Sequence, residues 1–146
     1  MSEQPGHEVR VERMYAASAE EVFDAWTSAE VMRRWLHPFA DWDTPRAEVD
    51  LRVGGKVRVV MRRPDGSEAE AAGEYRVIDR PRRLVMSWTF YDEPANKQLI
   101  ELSFTEVAGA TTVVLVNTGI STDARRDSQD EGWRGCLEML GVLLAG

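Results

Sequence analysis

Apolar and polar residues alternate along this chain in a pattern whose period changes from segment to segment. From Val9 to Tyr15 the period is two, that of a half-buried strand. Ser18-Ala19-Glu20-Glu21 is a capping box that opens a helix with Val22, Phe23 and Trp26 on its apolar face. A second short helix runs from about Ser28 to Trp35, carries Val31, Met32 and Trp35 at helical spacing, and is stopped by Pro38. Residues 39–46, with Trp42 and Pro45, read as a loop.

From there to Ile120 the period returns to two. Arg46–Leu51 is a short strand, and Gly54-Gly55 a turn or bulge. Lys56–Arg63 sets Val57, Val59 and Met61 on one face. Pro64-Asp65-Gly66 supplies a hairpin turn, with proline fixing one φ and glycine giving the positive one. Glu68–Ile78 is the return strand and Arg80–Arg83 turns again. Leu84–Tyr91 alternates Leu84, Met86, Trp88 and Phe90 against Val85, Ser87, Thr89 and Tyr91. Lys97–Val107 and Ala110–Ile120 form one more hairpin around Ala108-Gly109. The last segment is helical, with Trp133, Leu137, Leu140 and Leu144 on one stripe. Gly132, Gly135 and Gly141 inside that helix leave two readings, toleration or close approach by another part of the chain.

The order β-α-α-β6-α predicts an α+β fold. A curved antiparallel sheet wraps around a long C-terminal helix, with two short helices after the first strand. Such a sheet twists and curls, so a helix laid in its concave side leaves a cavity. The division is a flexible start at residues 1–7 and one domain at 8–146, in keeping with a length of 146 residues.

Composition narrows the function classes. With 18 Lys+Arg against 25 Asp+Glu the net charge is −7, which argues against nucleic-acid or anionic-membrane binding. The single cysteine, Cys136, permits no internal disulfide and fits a reduced, cytoplasmic setting. The polar N-terminus offers no signal peptide, and no apolar run reaches membrane-spanning length.

Several short motifs, in order, carry a resemblance. They are Arg34-Trp35-Leu36-His37-Pro38, Asp50-Leu51-Arg52-Val53-Gly54-Gly55-Lys56, the Pro64-Asp65-Gly66 hairpin, Gly73-Glu74-Tyr75, Arg83-Leu84-Val85, Trp88-Thr89 and Gly132-Trp133. Together they resemble the SRPBCC (START/Bet v 1-like) superfamily, in the branch named after the C-terminal domain of the activator of Hsp90 ATPase, over residues 8 to 145. The resemblance implies a helix-grip fold with a hydrophobic cavity, but no single activity. Many relatives carry a histidine shortly before the glycine that ends the last strand. Here Asn117 holds that place, and asparagine cannot serve as a titrating base.

Catalytic signatures are sparse. His7 and His37 lie far apart, Cys136 has no second cysteine, and neither a nucleophile elbow nor a phosphate loop is present. His7 falls in the N-terminal start. His37 reads either as a base or contact at the cavity mouth, or as an exposed loop residue, the latter favoured. Asp41 and Asp43, flanking Trp42, read as a solvated loop. Glu74 and Glu101 face solvent by alternation.

The leading expectation is a small-molecule binding protein that holds a hydrophobic or aromatic ligand, without metal or cofactor. The candidate contacts are Trp35, His37, Trp42, Val59, Met61, Tyr75, Met86, Trp88, Phe90, Asn117, Trp133, Leu137 and Leu140. The alternatives are an enzyme of cyclase, dehydratase or hydrolase type, and a chaperone co-factor-like interaction module. The expectation leans away from an enzyme. A homodimer is compatible with the chain, and a chaperone partner stays open.

Overall fold

The computed structural model describes residues 7–146. Its elements run β1 (His7–Tyr15), α1 (Ala19–Thr27), α2 (Ala29–Trp35), β2 (Asp43–Val49), β3 (Lys56–Arg62), β4 (Glu68–Asp79), β5 (Arg83–Phe90), β6 (Gln98–Val107), β7 (Ala110–Ile120) and α3 (Asp123–Ala145). The seven strands form one antiparallel, curved sheet in the order β1-β7-β6-β5-β4-β3-β2. This is the helix-grip architecture that the family resemblance implies, and it agrees with the element order read from the sequence pattern.

Each helix starts where a hydroxyl is available. The Ser18 side chain accepts from the Glu21 amide at 3.1 Å, Ser28 from Val31 at 3.3 Å, and Thr122 from Arg125 at 3.1 Å. Each bond satisfies an amide that a helix start leaves without a partner. Val22, Phe23, Ala25 and Trp26 then bury the inner face of α1. The edges of T-shaped Phe23–Phe104 and Trp26–Trp35 pairs lock both short helices into the core.

Two expectations change at the edges. Strand β2 begins at Asp43, inside the predicted loop. Proline at 45 is compatible with this because β2 is an edge strand, where a missing N–H costs no ladder bond. His7 begins β1, with its Nδ1 3.0 Å from Asp123 Oδ1, instead of belonging to a flexible start. Residues 1–6 of that start lie outside the described residues.

The helical glycines divide as well. A Cβ on Gly135 would overlap the Pro38 carbonyl oxygen, so glycine here permits the segment after α2 to rest on α3. At Gly141, Arg13 and Tyr15 of β1 stand 3.0–3.5 Å from where a Cβ would be. Gly132 has only the Pro38 Cβ, 4.0 Å away, which is ordinary contact. Helix α3 is therefore clasped at two points, at its middle by Gly135 and toward its C-terminus by Gly141.

Candidate functional site

Between those points α3 and the sheet are in close contact. Leu137 and Leu140 are fully buried, and the Tyr15 hydroxyl donates to the Leu137 carbonyl at 2.7 Å. Burial raises the Tyr15 pKa well beyond the usual tyrosine value, so it remains a neutral donor. Toward the start of α3 the helix stands away from β3–β5. A cleft of about 580 Å³ opens there between the helix, the strand tips and the segment joining α2 to β2.

The cleft is built from alternating positions. Val59 and Met61 come from β3, and Trp88 and Phe90 from β5. Gln129, Gly132, Trp133 and Cys136 come from successive turns of α3, and Leu36, Pro38 and Trp42 from the joining segment. Trp88 and Trp133 approach with ring centroids 6.0 Å apart, and Trp88 meets Phe90 edge-on at 6.4 Å. Trp42 stacks near Phe39 at 5.7 Å and carries the Arg63 guanidinium 5.2 Å above its ring.

Charges gather at the mouth and are largely paired. Arg125 donates to both oxygens of Asp92 at 2.9 and 3.2 Å and lies 3.4 Å from Glu93, with its guanidinium 5.6 Å from the Phe90 centroid. That pairing ties the start of α3 to the β5–β6 connection. It also holds the Asp92 carboxyl below its usual range. Glu70, beside the cleft, is bound by Arg58, which likewise lowers its pKa. Cys136 is buried, and burial pushes its thiol far above the ordinary value, so it stays protonated and a poor nucleophile. Among the described residues no group of three or more His, Cys, Asp or Glu is placed to hold a metal ion.

Six of the thirteen predicted contacts line the cleft: Trp42, Val59, Met61, Trp88, Phe90 and Trp133. The other seven stand elsewhere. Trp35 is in the core, its indole donating to the Ala25 carbonyl at 2.9 Å. Tyr75, Met86, Leu137 and Leu140 are core residues of the same inner layer, away from the opening. Asn117 is fully buried beneath Trp133 in a closed amide network. It accepts from Trp133 Nε1 at 3.0 Å and Gln129 Nε2 at 2.7 Å, and donates to the Gln98 side chain and the Leu99 carbonyl at 3.1 Å. No polar atom of Asn117 is left to orient a ligand.

His37 is neither at the cleft nor exposed. It is 8% exposed, with its Nδ1 3.0 Å from Thr44 Oγ1. The Thr44 hydroxyl spends its proton on the Leu36 carbonyl at 2.7 Å, so His37 Nδ1 must be the donor and Nε2 carries the lone pair. Burial lowers the pKa of this imidazole, with Asp43 opposing. Asp43 is itself paired with Arg62 across the β2–β3 edge. Glu74 and Glu101 pair with Lys56 and Arg83 on the outer face, as alternation predicts.

The predicted contacts leave out the other cleft residues, among them Leu36, Pro38, Ala69, Gln129 and Cys136 on the walls and Glu70, Asp92 and Arg125 at the mouth. Gly132 and Gly135 were the only signal that the Pro38 segment closes on α3.

Compared with known families, residues 16–145 match the model described as Activator of Hsp90 ATPase homolog 1-like protein. The chain belongs to this family. Solved AHSA1-like structures share its fold. A protein from Chromobacterium violaceum superposes with a TM-score of 0.86 at 22% identity, covering 95% of this chain and 98% of the other. The AHSA1 protein from Silicibacter pomeroyi gives 0.84 at 21% identity, with coverages of 95% and 98%. An HSP90 activator from Plasmodium falciparum gives 0.77 at 26% identity, with 96% and 97%. No curated protein sequence matches the chain. As an AHSA1-like domain it has, among the described residues, no helix long and apolar enough to cross a membrane.

Proposed function

We propose that this AHSA1-like chain is a cytoplasmic binding protein that takes a hydrophobic or aromatic small molecule into the cleft beside the first half of α3. The observation that carries this reading is the aromatic wall itself. Trp88, Phe90, Trp133 and Trp42 face one space of about 580 Å³, a size suited to a drug-sized guest. Covering apolar wall and apolar guest would contribute roughly 25 cal/mol per Å² before ordering costs.

The titratable groups of the cleft support binding over acid–base chemistry. Glu70 and Asp92 are ionised and bound to arginines, and Cys136 is a neutral thiol. A thermal-shift screen of aromatic and aliphatic compounds, followed by native mass spectrometry, tests the reading. A saturable rise in melting temperature with one-to-one binding is expected, and it should be lost in Ala69→Trp, which adds a ring to the cleft wall. A screen without any saturable ligand would contradict it.

Likeness to the Plasmodium falciparum HSP90 activator favours a second reading, a surface contact with an Hsp90-type chaperone. Stimulation of chaperone ATPase activity by the purified chain would support it, and no effect on the ATPase would dispose of it.

A further inference from the structure

The charged residues that line the cleft are Arg63, Glu68, Glu70, Asp92 and Arg125. Strand alternation sorts them. In the β3–β4 register Met61 stands opposite Ala69, while Val60 stands opposite Glu70 and Arg62 opposite Glu68. Residues directly opposite each other share a face of the sheet. Glu68 and Glu70 therefore turn toward the outer face, where Arg58 binds Glu70. Arg63 has the parity of Val59 and Met61. Its amide donates to the Ser67 carbonyl at 2.8 Å, which carries the ladder one step past the end of β3. Its side chain belongs to the inner face, and its guanidinium lies 5.2 Å above the ring of Trp42, itself part of the cleft wall.

The two arginines differ in how their charge is met. Arg125 gives both terminal nitrogens to Asp92, at 2.9 and 3.2 Å. Its buried Nε, which makes no hydrogen bond, lies 3.4 Å from Glu93. Two carboxylates thus balance one guanidinium. Arg63 forms no ion pair among the described residues. Its Nη1 donates to two neutral acceptors, Ser67 Oγ and the Glu68 carbonyl, both at 3.2 Å. Its Nε and Nη2 have no partner among the described residues. Those two nitrogens form the side-on edge with which a guanidinium grips a carboxylate. Arg80 uses that edge on Asp24, with Nε and Nη2 each 2.9 Å from an oxygen. Half-buried Arg63 thus sets one uncompensated cation at the rim of an aromatic wall, and stacking on Trp42 orients its plane.

We propose that the guest of the cleft is an amphiphilic monocarboxylate, its carboxylate held by the Nε–Nη2 edge of Arg63 and its apolar, ring-bearing body lying along Met61 toward Val59 and Trp88. This rests on the binding reading above and names the class of its ligand. Four residues of strand separate Arg63 from Val59, roughly 13 Å, which sets the length of the guest.

Three probes of one ring system test it on the full chain by calorimetry: 2-naphthylacetate, 2-naphthylacetamide and 2-naphthylethylammonium. The acid binds roughly tenfold more tightly than the neutral amide, the worth of a hydrogen bond to a charged group, and the ammonium binds most weakly. Added salt weakens the acid and leaves the amide unchanged. In Arg63→Gln the acid falls to the affinity of the amide, while the amide binds as before. Arg63→Lys, which keeps the charge and loses the two-pronged edge, retains only part of the preference. Equal affinities of acid and amide, a preference for the ammonium, or an acid preference that survives in Arg63→Gln overturns the assignment of Arg63 and leaves cleft binding intact. Failure of all three probes to bind saturably overturns the binding reading as well.

Discussion

The two ends of α3 show how one helix serves two purposes. Toward its C-terminus it lies flush on β1, with Leu137 and Leu140 fully buried and Gly141 admitting Arg13 and Tyr15. Toward its N-terminus it stands off the tips of β3–β5, and Trp133 forms the wall of a cleft. The same apolar stripe runs through both ends, so the stripe does not determine which end is filled. Curvature of the sheet and the clasp of the Pro38 segment on Gly135 do. Core and cleft are distinguished by what approaches the helix, not by what the helix carries.

Truncation separates the ends most strongly. Leu140→Ala should cost about 3 kcal/mol of stability, because a fully buried leucine leaves a cavity. Met61→Ala, at a half-buried cleft position, should cost less than about 1.5 kcal/mol. Denaturant unfolding of both variants measures the contrast. Similar costs would mean that the cleft is as tightly filled as the core.

The clasp gives two substitutions of opposite sign, three residues apart. Gly135→Ala should destabilise by about 2 kcal/mol, because its Cβ would drive into backbone that cannot easily move. Gly132→Ala should stabilise by about 0.5–1 kcal/mol, since only ordinary contact awaits the new methyl and alanine favours the helix. Melting temperatures would read this as a fall and a rise of a few degrees. Two shifts of the same sign would remove the clasp from the account.

The smallest effect is a pH dependence at the edge of the closed region. Burial lowers the His37 pKa below its ordinary value of 6.5, so the unfolded chain binds this proton more readily than the folded one. The contribution is complete above pH 6.5 and is lost as the pH falls from 6.5 toward the lowered folded value. Urea unfolding between pH 7.5 and 5.5 should show a loss that His37→Gln lacks. Parallel curves for the two proteins would contradict it.

The fold was legible because its signals are local. Hairpin turns at Pro64-Asp65-Gly66 and Ala108-Gly109, period-two strands and the capping box at Ser18 each announce an element within a few residues. The cleft was half legible for the same reason. Alternation put Val59, Met61, Trp88 and Phe90 on the inner face, but it cannot tell the open end of that face from the closed end occupied by Met86 and Tyr75. The fates of His37 and Asn117 depend on distant partners. His37 is buried by Thr44 and the Leu36 carbonyl, and Asn117 is consumed by Gln98, Gln129 and Trp133. No spacing within the chain announces such networks.

Chemical-shift perturbation by a titrated aromatic probe such as 2-naphthylacetate tests the central claim most directly. Saturable shifts should concentrate at Trp42, Met61, Trp88 and Trp133, while the methyls of Leu137 and Leu140 hold still. Shifts that never saturate, or that centre on the outer face of the sheet, would contradict it.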